Sequence, residues 1–305
     1  MFDLLDDAAG VPPFVARAVL AVLLVCVLCG MVGSLVVGNR MAFFSDAMAH
    51  SAFAGVALGY LGVVFSGAGR DSATAGWLVP LVMILFGSGV GAAIVYVREH
   101  TSLANDTVIG VFFAFAIGFG AMIFRVLQEV SPFNPDNFLW GSLLFVDETD
   151  LLTMLGLVVV VGGLFAWRYN QIVFASFNPS LARTRRVSLR VNNYLFIVLL
   201  ALVVNLSIKV VGALLINALL IVPAAAAANV SRNLRQMFWL TVVFCVGSGL
   251  FGYYLSSAVA FRGSGGHAVK FGPSGTIVVV SVALFFASIL WAGVRGRTAA
   301  PAVSR

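Results

Sequence analysis

Residues 18–37 read AVLAVLLVCVLCGMVGSLVV and contain no charged side chain. An α-helix rises about 1.5 Å per residue, so a helix over this stretch spans roughly 30 Å, the thickness of the hydrocarbon core of a bilayer. Further apolar windows of similar character follow along the chain, at residues 43–65, 77–97, 107–124, 151–167, 193–206, 210–228, 238–261 and 276–294. The sequence therefore predicts nine membrane-spanning segments.

The composition of the whole chain supports this interpretation. Hydrophobic residues make up 61% and charged residues 10% of the sequence, whereas soluble domains are about 45–50% apolar and 25% charged. These values exclude a cytosolic enzyme, a disordered chain and a protein that binds nucleic acid. A transmembrane barrel would show alternating strands of about ten residues, but the windows are continuous. We therefore predict an all-α, polytopic transmembrane helical bundle that forms one domain over residues 1–305.

Three apolar stretches are shorter than a bilayer requires. The windows 151–167 and 193–206 reach full length only if their helices extend into the flanking polar residues. The run Phe138–Val146 is shorter still, which predicts a re-entrant or partly inserted helix.

The distribution of basic residues predicts the orientation of the chain. When loops are assigned alternately to the two sides, twelve of the 18 basic residues fall on one side, which is then cytoplasmic by the positive-inside rule. The N-terminus is predicted to lie outside and the C-terminus in the cytoplasm, in a multi-pass protein of the inner cell membrane. The opening MFDLLDDAAG is acidic and has no basic region before the first window, so we expect it to stay in the mature protein.

One ionised residue and one histidine lie within the predicted spans. Asp46 and His50 are four positions apart, so a helix places them on one face. A carboxylate in hydrocarbon is costly and usually faces a bundle interior or a watery pathway. Together the two side chains offer the oxygen and nitrogen ligands that Zn²⁺ or Mn²⁺ accepts, as a transient site in a metal pathway. The alternative is structural: Asp46 caps its helix and His50 bonds to a neighbouring helix.

Other candidate ligands carry less information. Cys26 and Cys29 are spaced i, i+3 in the first window, where cysteine also serves as a small apolar residue. His267 lies in the glycine-rich outer loop FRGSGGHAVKFGPSG and is a possible contact for substrate. The chain has no Walker A, HExxH or GxSxG motif, so we predict no enzyme activity and no stably bound cofactor. Energy for transport must come from a partner or a gradient.

The segment 168–190 is the longest predicted cytoplasmic loop. Asn178 followed by Pro179 is a helix-start signal, with asparagine as N-cap and proline at the first helical position. The helix that follows would carry Leu181 beside Arg183 on an amphipathic surface. Such a surface can lie on anionic lipid or dock a cytoplasmic subunit.

Five stretches in order resemble the membrane permeases of ABC importers for metal ions of the zinc/manganese type. They are RMAFFSDAMAHSAFAGVALG (40–59), NDTVIGVFFAFAIGFG (105–120), FLWGSLLFV (138–146), ASFNPSLA (175–182) and IKVVGALLINALLIVPAAAAA (208–228). The chain departs from the family pattern at Ser45, Ala54, Asn178 and Phe271, where the family usually has Gly, Pro, Asp and Asp. The first two departures leave Asp46 and His50 in place, whereas Phe271 removes an acidic outer contact.

The resemblance implies a fold like that of type II ABC importers and inward transport of a divalent transition metal, Zn²⁺ first and Mn²⁺ next. It implies a homodimer, a cytoplasmic ATP-binding subunit that hydrolyses ATP, and an extracytoplasmic metal-binding protein. Asn178, Pro179, Leu181 and Arg183 would form the coupling surface for the ATP-binding subunit.

Two other classes of function remain open from the residues alone. A stand-alone secondary transporter would use Asp46 and His50 as proton or cation sites, and it would require no partner. An intramembrane hydrolase would need further converging polar groups besides this pair. The metal also stays open, because Mn²⁺ and Fe²⁺ accept the same ligands as Zn²⁺.

Overall fold

The computed structural model describes residues 13–67, 72–130, 141, 143, 146–177, 189–262 and 268–294. Within these ranges the chain forms nine helices and a two-stranded ribbon. The elements are α1 (Pro13–Gly38), α2 (Ala42–Phe65), α3 (Ala73–His100), α4 (Asn105–Val130), α5 (Glu148–Phe177), α6 (Leu189–Val211), α7 (Ala213–Val230), α8 (Leu234–Ala258), β1 (Ala260–Arg262), β2 (Ala268–Lys270) and α9 (Pro273–Val294).

Each predicted span overlaps mainly with one of these helices, and in the described part of the chain all nine are long and apolar enough to cross a membrane. Two predicted windows overrun their helices, since 210–228 begins in the last residues of α6 and 238–261 ends in strand β1. The prediction of an all-α transmembrane bundle is therefore confirmed. The windows 151–167 and 193–206 do extend into polar flanks, since α5 ends at Phe177 and α6 begins at Leu189. A helix can continue past the hydrocarbon because its backbone hydrogen bonds are internal.

The ribbon was not predicted from the sequence. Its strands pair antiparallel, with Phe261 opposite Val269, in the glycine-rich segment between α8 and α9. The Ser256 hydroxyl donates to the Phe271 carbonyl at 2.8 Å, which ties the end of α8 to the residue after β2. This short ribbon is an addition to the helical fold.

Two predicted segments fall largely outside the described residues. Of the stretch 138–146, the structure describes only residues 141, 143 and 146. Of the loop 168–190, it describes residues 168–177 as the end of α5 and residues 189–190 as the start of α6.

The chain divides into two compact units. One contains Met1–Val37, Ser142–Val158 and Leu214–Arg305, and the other contains Gly38–Gly141 and Val159–Ala213. This division does not test whether residues 1–305 act as a single permease domain, which stays a prediction.

In the second unit, α2 packs closely against α3. A Cβ atom on Gly55 would lie 2.8 Å from Met83 Cα, and one on Gly59 would lie 2.9 Å from Val79 Cα. The space beside Gly87 holds the amide of Asn205 on α6, whose Nδ2 donates to the Met83 carbonyl at 3.3 Å. Small residues let membrane helices approach closely and gain van der Waals contact, which replaces the hydrophobic driving force that lipid cannot supply.

In the first unit, α1 is the buried helix. Gly33 faces the Leu220 carbonyl of α7, and a Cβ on Gly30 would lie 2.7 Å from Val242 Cα of α8. Further along α8, a Cβ on Gly252 would lie 2.6 Å from Ile277 Cα of α9. The close helix contacts of this unit therefore also depend on glycines, which have no side chain to keep the two backbones apart.

The close approach of α8 to α9 predicts that Gly252→Ala destabilises the protein. The added methyl group meets the backbone of Ile277, which cannot move aside as the end of a side chain can. Overpacking of this kind costs about 1–3 kcal/mol. We expect thermal unfolding of the detergent-purified protein to shift down by several degrees.

Gly247→Ala is the matched control on the same helix. A Cβ on Gly247 has no atom within 4 Å, and alanine favours the helix more than glycine does. This variant should unfold at the same temperature as the wild type or slightly above it. Equal unfolding temperatures for Gly252→Ala and wild type would contradict the packing of α8 on α9.

Candidate functional site

The start of helix α2 is set by a turn at Arg40. Arg40 has a φ of 55°, and it is the single non-glycine residue with positive φ in the described ranges. The N-cap is Met41, which makes no side-chain capping bond, and the helix begins at Ala42. Asp46 is thus the fifth residue of α2, beyond the first turn where capping occurs. The alternative that Asp46 caps this helix is therefore wrong.

Asp46 and His50 lie together on α2, as predicted. His50 Nε2 is 3.9 Å from Asp46 Oδ1, and the two side chains are 31% and 40% exposed, respectively. Their neighbours along the helix are closed off, since Ser45, Ala47 and Ser51 have no exposed surface. The pair is thus a partly open polar patch between buried residues of α2.

The second half of the structural alternative was a hydrogen bond from His50 to another helix. The group that the structure places there is the ring of Phe113 on α4, with ring centroids 4.8 Å apart and planes at 87°. This contact is between two rings, so it is a packing contact and not the hydrogen bond that the structural alternative required. Sequence reasoning missed Phe113, because the contact depends on the register between α2 and α4.

The pair can hold a divalent cation between a nitrogen and an oxygen. Metal bonds of about 2.0–2.2 Å at a tetrahedral angle would place these two ligand atoms roughly 3.4 Å apart. The observed 3.9 Å separation requires only a small rotation of either side chain. The described residues contain no group of three or more His, Cys, Asp or Glu arranged for a metal. Two protein ligands suit a cation that binds and leaves.

The other predicted site residues lie in the first unit or outside the described residues. His267, Asn178, Pro179, Leu181 and Arg183 all lie outside the described residues. Cys26 and Cys29 lie in the first unit on α1, where both are fully buried.

A second polar group inside a span was not singled out from the sequence. Asn205 has no exposed surface, and within the described structure its Oδ1 has no hydrogen-bond partner. An asparagine inside the apolar window 193–206 was the available signal. It serves the packing of α6 on α3 through its bond to the Met83 carbonyl.

The sequence profile of the ABC 3 transport family matches residues 12–292. The high-affinity zinc uptake system membrane protein ZnuB of Haemophilus influenzae is 30% identical over 258 residues, covering 84% of this chain and 89% of that protein. The manganese transport system membrane protein MntC of Halalkalibacterium halodurans is 27% identical over 245 residues, covering 80% and 78%.

A solved structure, PsaBC from Streptococcus pneumoniae in complex with Fab, superposes with a TM-score of 0.73. It is 24% identical and the match covers 94% of this chain and 95% of that chain, which supports the same helical fold. The family profile covers nearly the whole chain, including all nine described helices except the last residues of α9. This multi-pass membrane protein belongs to the ABC 3 transport family.

Proposed function

We propose that the chain is the membrane permease subunit of an ABC importer that moves a divalent transition metal inward. The observation that carries the proposal is the Asp46/His50 pair, a partly exposed carboxylate and imidazole on an apolar, membrane-length helix. A carboxylate is retained within an apolar segment when it faces a pathway that a cation crosses. Family membership supports this function over a stand-alone secondary transporter.

We further propose Zn²⁺ as the first candidate cargo and Mn²⁺ as the second. An imidazole nitrogen favours borderline metals over Mg²⁺ or Ca²⁺, and the named relatives serve zinc and manganese systems. A site of two ligands selects weakly among transition metals. An extracytoplasmic metal-binding protein would therefore supply most of the selectivity.

The proposed assembly contains two copies of this chain and two ATP-binding subunits. ATP hydrolysis belongs to the ATP-binding subunits, and the chain itself is no enzyme. Helix α5 supports the docking proposal, because it continues from Arg168 to Phe177, about 14 Å beyond the apolar span. A helix that leads from the span into the segment with Asn178, Pro179, Leu181 and Arg183 would transmit movement between the ATPase and the membrane.

The orientation is part of the proposal. With the N-terminus outside, Arg40 and Arg98 lie at the cytoplasmic ends of their helices. The Arg98 Nη1 atom lies 3.3 Å from Met41 Sδ, so these ends meet. Asp46 and His50 would then lie near the cytoplasmic end of the pathway.

Asp46→Asn and His50→Ala should each lower uptake of the transported metal. Loss of an interaction with a charged group costs about 1.5–3 kcal/mol. At limiting metal concentration this corresponds to a roughly 10- to 100-fold lower rate of uptake. Uptake of Zn²⁺, Mn²⁺ and Fe²⁺ is measured in cells that lack the native chain and express each variant. Asparagine keeps the size of the aspartate side chain, so the membrane-inserted amount should not change.

Two control variants match these changes. Glu129→Gln removes a carboxylate whose side chain is 73% exposed at the end of α4, and His100→Ala removes an exposed imidazole that bonds to the Tyr96 carbonyl. Both should transport normally. Normal uptake of every metal by Asp46→Asn and His50→Ala would refute the pathway role and leave the family assignment intact.

Leu181→Asp should detach the ATP-binding subunit without unfolding the membrane bundle, because it places a charge on the proposed apolar contact. Co-purification of the two subunits is the measurement. Phe65→Asp, at the outer end of α2 where the side chain is 83% exposed, should leave recovery unchanged. Undiminished recovery with Leu181→Asp would instead favour a segment that lies on lipid.

Two cysteine variants, one just after α2 and one just after α3, test the orientation. Ser66 and Ser102 are exposed and lie on opposite predicted sides of the membrane. An impermeant maleimide should label Ser66→Cys in intact cells and Ser102→Cys only after lysis. The wild type gives the background, since its three cysteines are buried. The reverse labelling pattern would invert the proposed topology.

A further inference from the structure

The surroundings of His50 are built by two helices that run side by side. Helix α4 packs against α2 at Gly120, where a Cβ would lie 3.4 Å from Ala54 Cα. Nearby, the rings of Phe53 and Phe124 pack with centroids 4.2 Å apart. These contacts fix the register that brings Phe113 level with His50.

Phe113 restricts the imidazole from the side of α4. The two rings are perpendicular at 87° with centroids 4.8 Å apart, which is a favourable aromatic arrangement. An imidazole that is 31% exposed would otherwise sample several rotamers. A pair of this kind favours one arrangement by about two- to tenfold in population. In that arrangement Nε2 faces Asp46 Oδ1.

We propose that Phe113 is a positioning residue that holds the His50 imidazole toward Asp46 and so sets the relative transport of Zn²⁺ and Mn²⁺. This inference rests on the proposed function, because it requires the pair to contact the metal. Phe113 itself offers no ligand atom. It acts through the orientation of His50.

The effect on metal preference follows from ligand chemistry. Zn²⁺ gains more from a nitrogen ligand than Mn²⁺ does, because affinity for such ligands is lowest for Mn²⁺ in the first-row series. Without Phe113, the imidazole spends less time facing the site, while the Asp46 carboxylate stays in place. The site then resembles an oxygen-only site, and Zn²⁺ loses more than Mn²⁺.

The test is a competition between Zn²⁺ and Mn²⁺ for uptake by cells that express each variant. Phe113→Leu and Phe113→Met remove the ring and keep an apolar side chain. Both should lower the ratio of Zn²⁺ to Mn²⁺ uptake by about two- to tenfold. Phe113→Tyr keeps the ring and should retain most of the wild-type ratio.

Phe112→Leu is the matched control, because Phe112 is the adjacent ring on α4, whereas the ring pair with His50 is formed by Phe113. It should leave the ratio unchanged. Uptake is normalised to the amount of each variant in the membrane. A purely structural role would lower the uptake of both metals together and leave their ratio fixed.

An unchanged ratio in both Phe113→Leu and Phe113→Met would overturn the proposal. An equal change in Phe112→Leu would also overturn it. These failures are separable from failure of the proposed function. If Asp46→Asn and His50→Ala reduce uptake but the Phe113 variants keep the wild-type ratio, only the positioning role is lost. If Asp46→Asn and His50→Ala transport normally, the metal site itself is wrong.

Discussion

A peptide group in hydrocarbon has no water to bond, so each N–H and C=O must find a partner within the protein. The helices of this chain meet that requirement internally, and most serine hydroxyls inside them do the same. Each of the following donates to the carbonyl three residues earlier: Ser45, Ser51, Ser248, Ser281 and Ser288. Once these groups have partners within their own helix, few polar atoms need a hydrogen bond from a neighbouring helix. Association then depends on how closely two backbones approach.

This dependence explains the placement of glycine. Gly55 and Gly59 let the backbone of α3 approach α2, and Gly252 lets the backbone of α9 approach α8. At each of these positions an added methyl group would block the approach. Against this background α2 carries a carboxylate and an imidazole that are partly exposed, and the imidazole packs on the ring of Phe113. The proposed function gives these two side chains a role in the pathway of the cation.

The sequence alone was sufficient to predict the spans, because the thickness of the hydrocarbon sets the length of an apolar helix. It also identified Asp46 and His50, because charge is rare in such windows. It could not decide whether Asp46 is a cap, since the start of α2 depends on the left-handed conformation of Arg40, which arginine rarely adopts. The contact of His50 with Phe113 and that of Gly252 with Ile277 depend on the register between helices. Register arises from the packing of whole surfaces and has no local pattern.

The contact between Gly87 and Asn205 has a consequence for the history of this chain. The amide of Asn205 fills the place where any larger residue at 87 would put its first carbon, so residue 87 cannot become larger while Asn205 stays in place. A larger residue at 87 would be tolerated only after residue 205 had become smaller, and that intermediate would give up the bond to the Met83 carbonyl. The effects of substitutions at the two positions should therefore depend strongly on each other, although the positions lie on different helices.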